Sequence, residues 1–262
     1  MGAIALCLLA LLALAAPAIV PRDPIQVVPD DSLKPPSALH LLGADRYGRD
    51  VLSRLIFGTR ISLAIGVLSV GIGAAIGVPV GLIAGWIGGA IDTVISRVTD
   101  AMLAMPGILL ALSIITVLGA GLNNAMIAVG IAAVPTYIRL VRGQVLSAKE
   151  NVYLEAARVM GCSTTRLMFR HVLPNVGASI IVLSSLGMGT AILSAASLSF
   201  LGLGAQPPTP EWGAAVSEGR DVLDTAWWVS TFPSLAIMIA VLSINLLGDG
   251  LRDALDPRLR GR

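Results

Sequence analysis

Charge is scarce in this chain: Asp, Glu, Lys and Arg make up 13% of its 262 residues, against roughly a quarter in ordinary soluble domains. The net charge of +2 is too small for a nucleic-acid footprint. Two histidines occur, His40 and His171, in separate polar segments and far from any cysteine, so no metal-ligand cluster is expected. The two cysteines, Cys7 in an apolar run and Cys162 in a polar island, predict no disulfide. Lys34 and Lys149, the only lysines, follow Leu33 and Ala148, so the Gly-Lys-Ser/Thr phosphate loop is missing and ATP hydrolysis by that route is excluded. No Asp, Glu, Lys, Arg or His falls within 61–91, 101–138, 172–210 or 225–248. Ion-coupled carriers use such groups inside the membrane, and an intramembrane serine or cysteine enzyme needs a base beside its nucleophile. Catalytic residues are therefore expected to be none.

What the chain has instead is apolar length, with 55% hydrophobic residues and a mean hydropathy of +0.84. Six runs, at 3–20, 61–87, 101–119, 125–140, 176–203 and 227–247, approach the roughly 20 residues that cross a hydrocarbon core. Barrel strands would alternate, and these runs do not, so the fold class is an all-α polytopic membrane protein with six transmembrane helices. The first run also reads as a secretory signal, with Ala15-Ala16-Pro17-Ala18 as the cleavage region. No basic residue precedes it, and a native start upstream of Met1, with a basic leader, would account for that gap.

With the start inside, eleven of the eighteen basic residues face the cytoplasm: Arg97, Arg139, Arg142, Lys149, Arg158, Arg166, Arg170, Arg252, Arg258, Arg260 and Arg262. Both ends are then cytoplasmic. The chain divides into a first helix (1–20), an extracytoplasmic loop with an amphipathic segment (21–60), a five-helix core (61–251) and a cytoplasmic tail (252–262). Gly73, Gly77, Gly81, Gly85 and Gly89 recur every four residues and form a ridge that another helix can approach closely, within the bundle or across a subunit interface. Pro106 and Pro135 are candidate kinks or hinges.

Around Glu155 lies a polar, helix-forming island between apolar runs. Tyr153, Ala156, Ala157 and Met160 fall on one face at i, i+3, i+4, i+7, with a shallow notch at the two alanines and Glu155 and Arg158 beside it. Gly161 is placed to end this helix and Ser163 or Thr164 to cap the next. Spacing alone allows an amphipathic helix on the membrane or a helix that inserts into a partner's groove.

Glu155-Ala156-Ala157, Gly161 and His171-Val172-Leu173-Pro174 resemble the cytoplasmic EAA loop of permease subunits of binding-protein-dependent ABC importers, with His171 where the general pattern has an aliphatic residue. Residues 42–54 and 58–63, Ser199-Phe200-Leu201-Gly202-Leu203-Gly204, Pro210-Glu211-Trp212-Gly213 and 248–258 resemble the dipeptide, oligopeptide and nickel group, nearest its second, C-type permease. The resemblance implies a type I importer permease fold in a bacterial or archaeal inner membrane. It implies a coupling helix that docks on an ATPase through Glu155, Ala156, Ala157 and Gly161; Tyr153 and Arg158, on and beside the same helix face, complete the candidate contact. The implied partners are a homologous second permease, two ABC ATPase subunits that hold ATP and Mg, an extracytoplasmic substrate-binding protein and membrane lipid. No cofactor is expected in this chain. Asp45, Arg49, Asp50, Glu211 and Trp212 are candidate contacts for the binding protein, with a solvated outer face as the other reading of the 45–56 segment. Peptides are the implied substrate, with nickel, glutathione or another small solute as the alternative; a stand-alone carrier or channel is the rival from another class.

Overall fold

The computed structural model describes residues 2–255, without the Arg158 side chain, as a helical bundle; the tail from 256 onward lies outside the described residues. Ten helices follow in order: α1 Gly2–Ile19, α2 Val51–Ile87, α3 Gly89–Leu103, α4 Gly107–Leu118, α5 Leu122–Lys149, α6 Val152–Val159, α7 Thr164–Arg166, α8 Leu173–Phe200, α9 Trp212–Arg220 and α10 Trp228–Leu255. A π-helical turn, Leu167–Val172, joins α7 to α8. Pro174 gives no N–H to the preceding turn, and the wider turn just ahead of it fits that loss.

Among the described residues, five helices are long and apolar enough to cross a membrane, counting α7, the π turn and α8 as one, and a sixth span exists if α3 and α4 are taken together. That pair corrects the 101–119 run. The chain bends by 95° between α3 and α4, at Pro106, so the run is a broken helix rather than a straight span.

The glycine ridge packs α2 against α5 inside this chain. A Cβ on Gly81 would meet the Ile138 carbonyl at 2.8 Å, and one on Gly85 would meet Val145 Cβ at 2.8 Å; Gly130 answers from α5, against Ile72. Gly89 drops out of the ridge. It lies beyond α2 at φ 58°, in open space.

The second span is longer than its apolar run because its first turns are polar yet buried. Asp50 caps α2, accepting from the Ser53 N–H at 2.8 Å and its Oγ at 2.6 Å. The 45–56 segment is therefore not a separate outer helix with a solvated charged face: Asp45, Arg49, Asp50 and Arg54 are all buried. Buried charge persists only where it is paired. Arg49 donates from Nε to Asp45 Oδ2 at 2.6 Å and from Nη2 to Glu218, and Arg54 lies 3.6 Å from Asp45. Beside them His40 sits between Asp50 (Nδ1 to Oδ1, 2.9 Å) and Asp31 (Nε2 to Oδ2, 3.1 Å). Lys34 donates to Asp31 at 2.5 Å, and that bond, with the His40 contact, holds the Asp31 carboxyl below the usual carboxylate range.

Candidate coupling site

At the opposite end of the bundle α6 hangs between α5 and the π turn. Leu154 and Ala157, three residues apart, point inward and join Leu82, Val141, Val145, Ala148, Leu167, Val172 and Val176 in one apolar cluster. The outward face carries Val152, Tyr153, Glu155, Ala156, Val159 and Met160, with Val159 83% and Met160 78% exposed. The predicted face is thus divided. Tyr153, Ala156 and Met160 point out while Ala157 packs the protein's own core, because the four-residue pattern left out Leu154, whose side chain decides which stripe is buried. The alanine notch is reduced to Ala156. The Arg158 side chain lies outside the described residues.

Several groups fix α6 at this angle. Asn175 Nδ2, at the start of α8, donates to Tyr153 Oη at 2.8 Å and to the His171 carbonyl at 2.8 Å. Gly161 ends the helix at φ 85°, and the Cys162 N–H reaches back to the Ala157 carbonyl at 3.1 Å. A Cβ there would meet nothing within 4 Å, so the demand at Gly161 is on backbone conformation, not on space. Ser163 Oγ accepts from the Arg166 N–H at 3.4 Å and starts α7. Glu155 lines a cavity of about 320 Å³ with Trp86, Lys149, Glu150 and Leu154. Lys149 donates across it to the last carbonyls of α2, Gly85 at 3.4 Å and Trp86 at 3.0 Å, where a cation suits the helix terminus. Sequence reading missed Leu154, Lys149 and Asn175. A lysine ending one helix and an asparagine just after a proline were the available signals, but neither names its partner.

The other candidate set, Asp45, Arg49, Asp50, Glu211 and Trp212, gathers at the loop end of the bundle, and all five are buried. Glu211 caps α9, accepting from the N–H groups of Gly213 and Ala214 at 2.9 Å each, and burial pushes its carboxyl above the usual range. Trp212 donates to the Leu55 carbonyl at 3.0 Å, which ties α9 to α2. These side chains shape the surface from beneath; none presents itself to a partner.

A second cavity, about 400 Å³, lies inside the bundle between α2, α4, α5 and α8. Its polar groups are hydroxyls, among them Ser69, Thr136, Tyr137, Thr190 and Ser194, and Tyr137 pairs with Ser184 at 3.0 Å. A larger cavity, about 650 Å³, is an apolar groove between α8, α9 and α10 and is remote from α6.

Residues 77–261 match the family described as binding-protein-dependent transport system inner membrane component. The chain belongs to this family. Among its curated relatives, the di/tripeptide transport system permease protein DppC of Pseudomonas aeruginosa is 48% identical over 99% of this chain and 88% of the relative. The glutathione transport system permease protein GsiD of Escherichia coli is 49% identical over 99% of this chain and 86% of the relative. Among solved structures, an inward-facing MetNI methionine ABC transporter aligns with a TM-score of 0.60 at 21% identity, over 78% of this chain and 96% of that one. An amino acid ABC transporter aligns with a TM-score of 0.60 at 17% identity, over 77% and 94%. These two matches show the fold alone. As a binding-protein-dependent transport component with five to six apolar spans, the protein is a multi-pass permease of the bacterial inner membrane.

Proposed function

We propose that this chain is one of two homologous, non-identical permeases of an ATP-driven peptide importer, and that α6 is the helix through which ATPase subunits drive it. The observation that carries the reading is the build of α6. A short helix anchored inward by Leu154 and Ala157 leaves Val152, Tyr153, Ala156, Val159 and Met160 facing outward beside Glu155, away from the apolar runs. Uncovered apolar side chains rimmed by polar groups are what a docking helix offers a groove. Two ATPase subunits bind and hydrolyse ATP with Mg in this reading, since this sequence carries no phosphate loop.

α6 and both chain ends lie on the cytoplasmic side in this reading, and the 21–50 loop lies outside. An extracytoplasmic binding protein delivers substrate to the surface that the buried Asp45, Arg49, Asp50, Glu211 and Trp212 hold in shape, where Tyr47 is 42% exposed. Small peptides, glutathione among them, are the substrate class that the two relatives' names support, and a hydroxyl-lined, uncharged cavity suits solutes whose side chains vary.

Membranes carrying this permease, its partner permease and the ATPases are expected to take up a labelled dipeptide only with ATP and the binding protein. Glu155→Lys reverses the charge on the docking face and is expected to lower uptake about tenfold, a coupling loss within the usual range, while the permease still inserts. Uptake without nucleotide would support a stand-alone carrier and overturn the reading.

A further inference from the structure

The intramembrane cavity is bounded at two places by residues that directly follow a proline. Gly107 and Ile108 come after Pro106, at the 95° break, and Thr136 and Tyr137 come after Pro135, in the interior of α5. Pro135 has no N–H to give the turn before it, so α5 lacks one backbone hydrogen bond at that level. Two weak points of the backbone, on neighbouring helices, face the same space.

How α3 and α4 are held differs on the two sides of these prolines. Before Pro135, α5 packs on α4 through apolar contact: Ala111 and Ile115 are buried with Ala125, Ala128 and Val129. Beyond Pro135 the link is ionic. Arg142 forms a bidentate pair with Asp92 of α3, Nε to Oδ1 at 2.5 Å and Nη2 to Oδ2 at 2.8 Å, and Arg139 reaches Asp100 at 2.7 Å. Little else anchors α3 among the described residues. Thr99 is its one buried residue, and its own Oγ bonds back to Ile95. It hangs from α2 by Gly88 and Gly89, both at positive φ with nothing packed around them. The last turn of α5 leads within two residues to α6.

We propose that the Arg142–Asp92 and Arg139–Asp100 pairs make α3 follow the lower half of α5, so that displacement of α6 changes the angle at Pro106 and with it the α4 wall of the cavity. Arg142 and Asp92 are positioning residues: they touch no substrate, and they convert movement of the coupling helix into movement of the substrate path. The planar guanidinium suits this task because its two parallel bonds fix orientation as well as distance, which a lysine would not do. Of the two pairs Arg142–Asp92 is the principal one. Its side chains are 34% and 18% exposed against 61% and 60% for Arg139 and Asp100, and exposed pairs contribute little. The inference rests on α6 being the coupling helix.

The test measures peptide taken up per ATP hydrolysed in the complete reconstituted complex. Arg142→Gln and Asp92→Asn are each expected to lower that ratio about tenfold while hydrolysis continues, and the exchange Asp92→Arg with Arg142→Asp to restore most of it. An unchanged ratio in the single variants overturns the proposal. Should the singles fail to assemble, spin labels at Val98 and Gln144 in the otherwise native complex decide it. A separation that stays constant as nucleotide is added and removed supports a rigid link, and one that changes overturns it. Loss of ATP-dependent uptake by the wild-type complex would instead remove the coupling reading itself.

Discussion

Gly77→Leu is expected to leave almost no folded permease in the membrane, because α2 and α5 meet there backbone to backbone. A Cβ on Gly77 would run into Tyr137 Cβ and lie 2.8 Å from the Val134 carbonyl, so neither obstacle is the free end of a flexible side chain. Overpacking costs about 1–3 kcal/mol even where neighbours adjust, and here the backbone itself would have to move. Gly77→Ala is the graded version. At roughly 2–4 °C per kcal/mol for a chain of this size, it should lower the melting temperature of the purified protein by about 2–12 °C. Gly71→Ala is the control in the same helix. Nothing lies within 4 Å of a Cβ at that position, so the gain in helix propensity over glycine should leave the protein unchanged or more stable by about 0.5–1 kcal/mol. Equal melting shifts for the two alanine variants would show that the ridge is not a packing surface.

Arg49→Ala is expected to be the most damaging single change at the loop end. Arg49 holds Asp45 and Glu218 together, one at the entrance to α2 and the other on α9, and its own side chain is 2% exposed. Removing one member of a buried ionic group costs about 3–5 kcal/mol, because the partners remain desolvated without compensation. Arg54 is 3.6 Å from Asp45 and 3.8 Å from Glu218, so it takes up part of the lost interaction and the effect should fall near the lower limit. Arg49→Lys should rescue only partly, since one ammonium cannot present the two directed donors that the fork gives. The double variant Arg49→Ala with Glu218→Ala should be less destabilised than the sum of the single changes, by about 0.5–3 kcal/mol. Additive losses would show that the two side chains do not act as a unit.

These two sites also mark where the sequence was legible and where it was not. The helices and their approximate spans follow from hydropathy, because a lipid-solvated helix has almost no freedom in composition. The glycine ridge was visible as a period of four, although only the fold assigns it to α5. Asp45, Arg49, Asp50 and Arg54 read as a solvated face for a sound reason: burying charge is costly, and although Asp45 pairs with Arg49 locally, the second carboxylate that the two arginines share is Glu218, 169 residues after Arg49. No local pattern carries that separation. Pro106 marked a kink, but the ion pairs that tie α3 to α5 join Arg142 and Arg139 to partners 50 and 39 residues earlier. At α6 the spacing correctly gave a helix. In a helix of eight residues, however, two neighbouring stripes were both apolar, and only the position of α5 and α8 selects Leu154 and Ala157 as the buried one.

The docking of α6 is tested most directly by cysteine crosslinking to the ATPase in the assembled importer, with Cys7 and Cys162 replaced by serine. Cysteines at Ala156 and Met160, on the outward face, should crosslink to the ATPase, and the yield should change with nucleotide. A cysteine at Ala157, one residue along but turned into the core, should not crosslink. Comparable crosslinking at Ala157, or none at Ala156 and Met160 in a complex that still imports peptide with ATP, would contradict the account.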